Sequence, residues 1–172
     1  YLTARGYRVA AIDVRGYGGS SAPAEVERYT LRELAGDVAA VITALDDGPV
    51  VVAGHDWGAP IVWNTSLIHP LLVRGVIGMS VPYTPATGVS LLDLFDQLFP
   101  DRFFYTLHFR EPGVIEAEFA ADVRAALKKV YFALSGDAPA GSLHFDAPRG
   151  TPFLSLLPDP PAGPLSLMSD EE

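Results

Sequence analysis

Apolar positions in the first half of the chain alternate between short runs and helical spacing. Val9–Val14 is a short apolar run and predicts a buried strand. Leu31, Leu34, Ala35, Val38, Val41, Ile42 and Leu45 form a stripe at helical spacing, which predicts a helix over Leu31–Leu45 that covers one face of a sheet. Asp46-Asp47-Gly48-Pro49 breaks it. Val50–Ala53 is all apolar and predicts a strand buried on both faces. Ala59–His69 reads as a helix with Pro60 in its first turn, where a missing N–H costs nothing. Gly75–Val81 is the third expected strand. Short connections between alternating strands and helices predict an α/β class, with right-handed crossovers and a parallel sheet flanked by helices.

The pattern changes after Pro82. Residues 83–112 are rich in aromatics, with weaker periodicity. Glu116–Leu134 reads as one amphipathic helix that carries Lys128 and Lys129. Gly136–Pro164 holds seven of the fifteen prolines and fits either a long ordered loop or a linker. The expected boundary lies near Tyr83, with a sheet layer over 1–82 and a helical layer over 83–172. Both ends read as interrupted helices. Tyr1–Arg5 followed by Gly6 resembles a last turn, and Ser169-Asp170-Glu171-Glu172 a capping box that starts another. Together they predict an internal segment of a longer protein.

Charge and composition remove several functions. The net charge of −9 over 172 residues leaves no basic stripe to neutralise phosphates, so neither nucleic acid nor an anionic membrane is an expected partner. The chain has no cysteine, which excludes a disulfide scaffold, a zinc–thiolate site and a cysteine nucleophile. The apolar stretch Leu71–Val81 is interrupted by Arg74 and is too short to span a bilayer. No metal cluster or cofactor motif is present, so no cofactor is expected. The acidic balance and missing thiols fit a cytoplasmic location.

The chemistry concentrates in Val50-Val51-Val52-Ala53-Gly54-His55-Asp56-Trp57-Gly58-Ala59-Pro60. An expected strand runs through Gly54-x-Asp56-x-Gly58 directly into an expected helix, the context of a nucleophile elbow with Asp at the tip. So tight a turn strains the tip residue, crowds out side chains two positions away, and pushes the tip side chain above the sheet edge. A carboxylate at a helix N-terminus is stabilised as the anion, and the Trp57 N–H is placed to serve an oxyanion. The plainer reading is an Asp capping a helix between two glycines. His55 should point away from the tip and serve structure. The segment Asp13-Val14-Arg15-Gly16-Tyr17-Gly18-Gly19-Ser20-Ser21 lacks the spacing of phosphate-cradling loops, so Asp13 and its glycines should shape a tight turn.

These segments resemble the α/β-hydrolases of the epoxide hydrolase family, especially the soluble plant and bacterial type. The resemblance rests on Asp13–Ser20 with Ala22-Pro23, Gly54–Ala59 followed by Trp63, and Ser80-Val81-Pro82-Tyr83. It extends through Tyr105, Phe109-Arg110-Glu111-Pro112-Gly113 and Glu116-Ala117-Glu118-Phe119. It implies a partial hydrolase core followed by the first part of a mostly helical cap. It further implies that Asp56 attacks an epoxide carbon to form an ester, and that Tyr105 donates to the epoxide oxygen. Trp57 would serve the oxyanion and wall the pocket; the partners are a small epoxide and water. By the same resemblance an oxyanion loop would precede Tyr1, while a second tyrosine, an acid and a histidine would follow Glu172. His55, His69, His108 and His144 are poor substitutes for that histidine. His108 and Arg110 stand where the family has a variable residue and a glutamine. The 172 residues alone are therefore expected not to turn over. Two alternatives compete: a haloalkane dehalogenase-like enzyme, which also uses an elbow Asp followed by Trp, and a truncated remnant or interaction module that self-associates through exposed sheet edges.

Overall fold

A computed structural model describes residues 1–45, 48–85, 88–143 and 145–165. His144 and the expected capping box at Ser169–Glu172 lie outside them, as do Asp46 and Asp47 of the expected helix break. The chain divides into two compact units, Tyr1–Pro85 and Ala86–Glu172.

The first unit is built on two strands and two helices. Helix α1 spans Leu31–Leu45, strand β1 Val50–His55, helix α2 Gly58–Ile68 and strand β2 Val73–Met79. The strands pair in parallel, from Val51 opposite Gly75 to His55 opposite Met79. The stripe on α1 does what its spacing dictates. Ile42 packs with Val52 of β1 and Val62 of α2 in one buried cluster, supported by Val38, Val76 and Leu72. Ala35 on α1 and Ala59 on α2 are fully buried, small enough to let packed backbones close in. The expected final turn at the start is a 3-10 turn, Thr3–Arg5, ended by Gly6 at φ 83°. Only a residue without Cβ adopts that conformation freely.

Three strand expectations need correction. Val9–Val14 is neither paired nor buried: Val9 is 49% and Ile12 41% exposed, and no described strand partners the segment. It runs beside β1 across a cleft of about 430 Å³ lined by Ala10, Ala11 and Ile12 on one side and Val51, Val52 and Ala53 on the other. A strand needs a ladder partner at hydrogen-bond distance, and the cleft intervenes. β1 is buried on one face only, because α1 and α2 both lie on the Val52 side. Val51, Ile77 and Met79 face the open side. β2 runs from Val73 rather than Gly75 and stops before Ser80, whose φ of 68° ends the extended geometry.

The second unit is helical. It contains α3 over Leu91–Leu98, α4 over Tyr105–His108, α5 over Val114–Ala120 and α6 over Val123–Leu134. The single helix expected over Glu116–Leu134 is two helices. Asp122 is extended at φ −157° and accepts the Ala125 N–H at 2.9 Å, an N-cap that starts α6 afresh. The proline-rich stretch is an ordered part of the unit. Its Phe153 and Leu157 join Phe103 and Ala133 in the buried cluster, and the Phe103 N–H donates to the Ala147 carbonyl at 2.7 Å.

Glu118 of α5 ties this unit together. Its carboxylate accepts the N–H groups of Phe153 and Leu154 at 3.1 and 3.0 Å and meets His108 Nε2 at 2.8 Å. Burial works to raise its pKa. The Leu154 N–H, His108 and the Phe153 N–H outweigh that effect and leave it below its ordinary value. A depressed folded-state pKa contributes stability that is full above the unfolded value of 4.5 and is lost as pH falls through the folded one. Glu118→Gln should therefore cost about 2 kcal/mol at neutral pH, the range for hydrogen bonds to a charged group. In denaturant titrations across pH the deficit should shrink below the unfolded pKa; a deficit independent of pH would contradict the assignment.

Candidate active site

The elbow between β1 and α2 has the geometry its sequence requires. Asp56 sits at φ 51°, the left-handed region that a residue with a Cβ occupies at a cost. Its N–H donates to the Met79 carbonyl at 3.2 Å, carrying the parallel ladder one residue past β1. Its carbonyl accepts the Ala59 N–H at 3.0 Å, so the same residue opens the first turn toward α2. Trp57 follows in helical geometry at φ −59° and serves as the N-cap position.

The two glycines have different reasons. A Cβ on Gly54 would fall inside the Gly58 carbonyl and 2.8 Å from the Ala59 nitrogen, so the returning helix leaves no room there. A Cβ on Gly58 would meet nothing within 4 Å. The expectation that both positions must lack side chains holds for Gly54 and fails for Gly58, because the chain folds back over the first and away from the second.

Asp56 itself is exposed, and no described residue donates to its carboxylate. Ala59 and its neighbours in α2 take no bond from that side chain, so the plainer capping role is not performed here. Trp57 is 69% exposed, which rules out a ring buried for packing. His55 ends β1 on the exposed side of the strand, in line with Val51 and Ala53.

The loop after residue 12 is a staple rather than a cradle. The Asp13 carboxylate accepts the Gly19 N–H at 2.9 Å, and its carbonyl accepts the Ser20 hydroxyl at 2.7 Å. A Cβ on Gly18 would strike the Asp13 carboxylate, with Oδ1 at 2.9 Å. Arg15, which no local motif marks, anchors this loop to α1. Its guanidinium grips Asp37 through two bonds of 2.9 and 2.6 Å and reaches Glu33 at 3.3 Å. Glu33 and Asp37 are four residues apart on α1, on one helix face, and that spacing of two acids was the available signal; Arg28 also meets Glu33, at 3.5 Å.

Tyr105 lies in the second unit as the first residue of α4 and is 48% exposed. Its ring packs edge-on to Phe109 with centroids 6.0 Å apart, and Phe145 lies at 6.4 Å. No described residue bonds its hydroxyl. It is therefore half packed and half open, not one more core aromatic. His108 follows one turn later, buried and held by Glu118.

Among the described residues no three His, Asp or Glu side chains converge as metal ligands. No described helix is long and apolar enough to cross a membrane.

The chain is similar to known proteins. The profile of the alpha/beta hydrolase fold family matches residues 1–128, which include both Asp56 and Tyr105. Epoxide hydrolase A of Mycobacterium tuberculosis is 38% identical over 173 residues, covering 99% of this chain and 53% of the relative. A solved epoxide hydrolase from an endophytic Streptomyces is 40% identical with a TM-score of 0.84, over 93% of this chain and 49% of that one. Epoxide hydrolase A from Mycobacterium thermoresistibile superposes with a TM-score of 0.80 at 37% identity, over 93% and 50%. The chain thus spans about half the length of these relatives.

The contrast between the glycines is testable. Gly54→Ala should destabilise the chain by about 3 kcal/mol or prevent folding, the upper range for forced overpacking. Gly58→Ala should be neutral or stabilising by up to about 1 kcal/mol, since alanine is the better helix former. Equal losses in thermal unfolding would refute the asymmetry.

Proposed function

Because the chain belongs to the alpha/beta hydrolase fold family, we propose that it carries the nucleophilic half of an epoxide hydrolase, with Asp56 as the attacking carboxylate. The observation that bears most on this is the tip geometry: a non-glycine residue in left-handed conformation between strand and helix, with its carboxylate exposed. A side chain held so is fixed in direction by the backbone and free of competing bonds, as a nucleophile needs.

In the proposed reaction an Asp56 oxygen attacks one epoxide carbon. The new C–O ester bond forms as the ring C–O bond breaks, and the ring oxygen leaves as an alkoxide. Tyr105 gives that oxygen its phenol proton, which suits a neutral donor to an atom gaining charge. Completing the cycle requires water to add to the ester carbonyl; collapse of the tetrahedral species would release the diol, restore the carboxylate and return a proton to the Tyr105 phenolate. The Trp57 N–H has no described acceptor and is suited to hold the oxyanion of that second step. Residues 1–82 act in this reading as part of the hydrolase core, and residues 83–172 as a connecting segment and the first part of the cap.

The second step needs a base to activate water, and the histidines of the described residues are poorly suited. His55 lies on the strand's exposed side, His69 ends α2, and His108 is buried against Glu118. On the described residues, the proposed reaction is thus an alkylation of Asp56 that halts at the ester. After incubation of the 172-residue chain with styrene oxide, intact mass should rise by the full mass of the epoxide, with the modified peptide containing Asp56. Asp56→Asn should abolish the adduct, and Tyr105→Phe should slow its formation on the order of a hundredfold. Steady diol release by this chain would refute the halted reading. A label elsewhere than Asp56 would refute the nucleophile, and halide release from haloalkanes without epoxide opening would favour the dehalogenase.

A further inference from the structure

Two non-glycine residues have positive φ among the described residues, Asp56 at 51° and Ser80 at 68°. They are neighbours across the sheet. His55 pairs with Met79, so the next residues on the two strands are Asp56 and Ser80. Left-handed backbone in residues with a Cβ persists only where the surroundings enforce it. For Asp56 the tight return into α2 does so. Ser80 lies in no such turn: the strand simply ends there, and the hydrogen bond that crosses the end comes from a side chain.

That side chain is Trp63 of α2, the helix that Asp56 heads. Its Nε1–H donates to the Val81 carbonyl at 3.2 Å, just after Ser80. Its ring lies against Gly78, just before the kink; a Cβ there would be 2.7 Å from Cε2 and 2.9 Å from Nε1. Further along, Tyr83 meets the ring edge-on at 6.1 Å and 64°. Trp63 therefore grips the chain on both sides of Ser80.

We infer that Trp63 is a positioning residue for Asp56, acting as a clamp that holds Ser80 in its left-handed conformation. The link is one peptide plane. The φ of Ser80 turns about the bond that follows the Met79–Ser80 peptide, so it is coupled to the direction of the Met79 carbonyl. That carbonyl accepts the Asp56 N–H at 3.2 Å. If Ser80 relaxes toward extended geometry, the acceptor swings away and the elbow loses its tie to β2. The clamp, the kink and the tie all lie within the first unit. The claim that they serve catalysis rests on Asp56 being the nucleophile.

Amide hydrogen exchange at Asp56 tests the clamp independently of any reaction. Trp63→Phe keeps an aromatic ring but removes the donor and the part of the indole that lies against Gly78, and should speed Asp56 exchange by at least about tenfold, the worth of one neutral hydrogen bond. Adding Ser80→Gly should restore protection, because glycine adopts the left-handed region without a clamp. If Trp63→Phe does not fold, Ser80→Val serves instead: a β-branched residue resists positive φ and should speed the same exchange with Trp63 intact. Unchanged exchange in these single variants, or no rescue by glycine, would overturn the clamp. Alkylation by styrene oxide supplies the second readout. Its rate at saturating epoxide should fall in Trp63→Phe, with half-saturation unchanged, and recover in the double variant. A wild-type chain that shows the exchange pattern but takes no label at Asp56 would overturn the nucleophile and leave the clamp supported.

Discussion

The close approach of Gly54 to the carbonyl of Gly58 is the constraint on which the first unit turns. A strand that leads into a helix without a connecting loop must fold back on itself, and only a missing Cβ gives the returning backbone room. Once that approach is made, little freedom remains at the tip. Asp56 is driven to positive φ, its N–H extends the ladder to Met79, and its carbonyl opens the first turn. The helix then leaves along the sheet and brings Ile61 and Val62 into the buried layer beneath α1. Packing and site geometry are consequences of one steric fact.

The second unit is organised by charge rather than by sterics. Its helices are short, and its proline-rich stretch has little regular secondary structure to hold it. A single carboxylate, Glu118, collects two backbone N–H groups from that stretch and a histidine from α4. Buried polar groups are expensive unless satisfied, so such a hub fixes one arrangement over its alternatives. The aromatic side chains around it add area, with Phe103, Phe145 and Phe153 stacked in series.

Local periodicity made the first unit legible. α1 spans the residues of its stripe, Leu31–Leu45, and the elbow is legible because a glycine two residues before an aspartate, between strand and helix, has a steric meaning. What escaped depends on partners distant in sequence. Val9–Val14 has strand composition but no described neighbour to pair with, and composition cannot supply one. Val50–Ala53 reads as doubly buried because valines do not reveal which face a helix will cover. In the second unit Asp122 is a strong N-cap, yet the apolar pattern running through it masked the break. Arg15 looked like a loop residue because its acids lie on a helix far along the chain. Gly58 differs from expectation for another reason: symmetry in the motif suggests a symmetry that the fold does not have.

The placement of the indoles has a practical consequence. The chain has two tryptophans, Trp57 and Trp63, both in the first unit and both within a few turns of the elbow. The second unit contains none and carries its rings as phenylalanine, tyrosine and histidine. Emission excited at the red edge of the ultraviolet therefore arises from the first unit alone. One indole stands in solvent and the other is partly enclosed against Gly78, so they report on two environments a short distance apart. The loss of one unit's structure can be followed optically without interference from the other, in the unmodified protein and with no added dye.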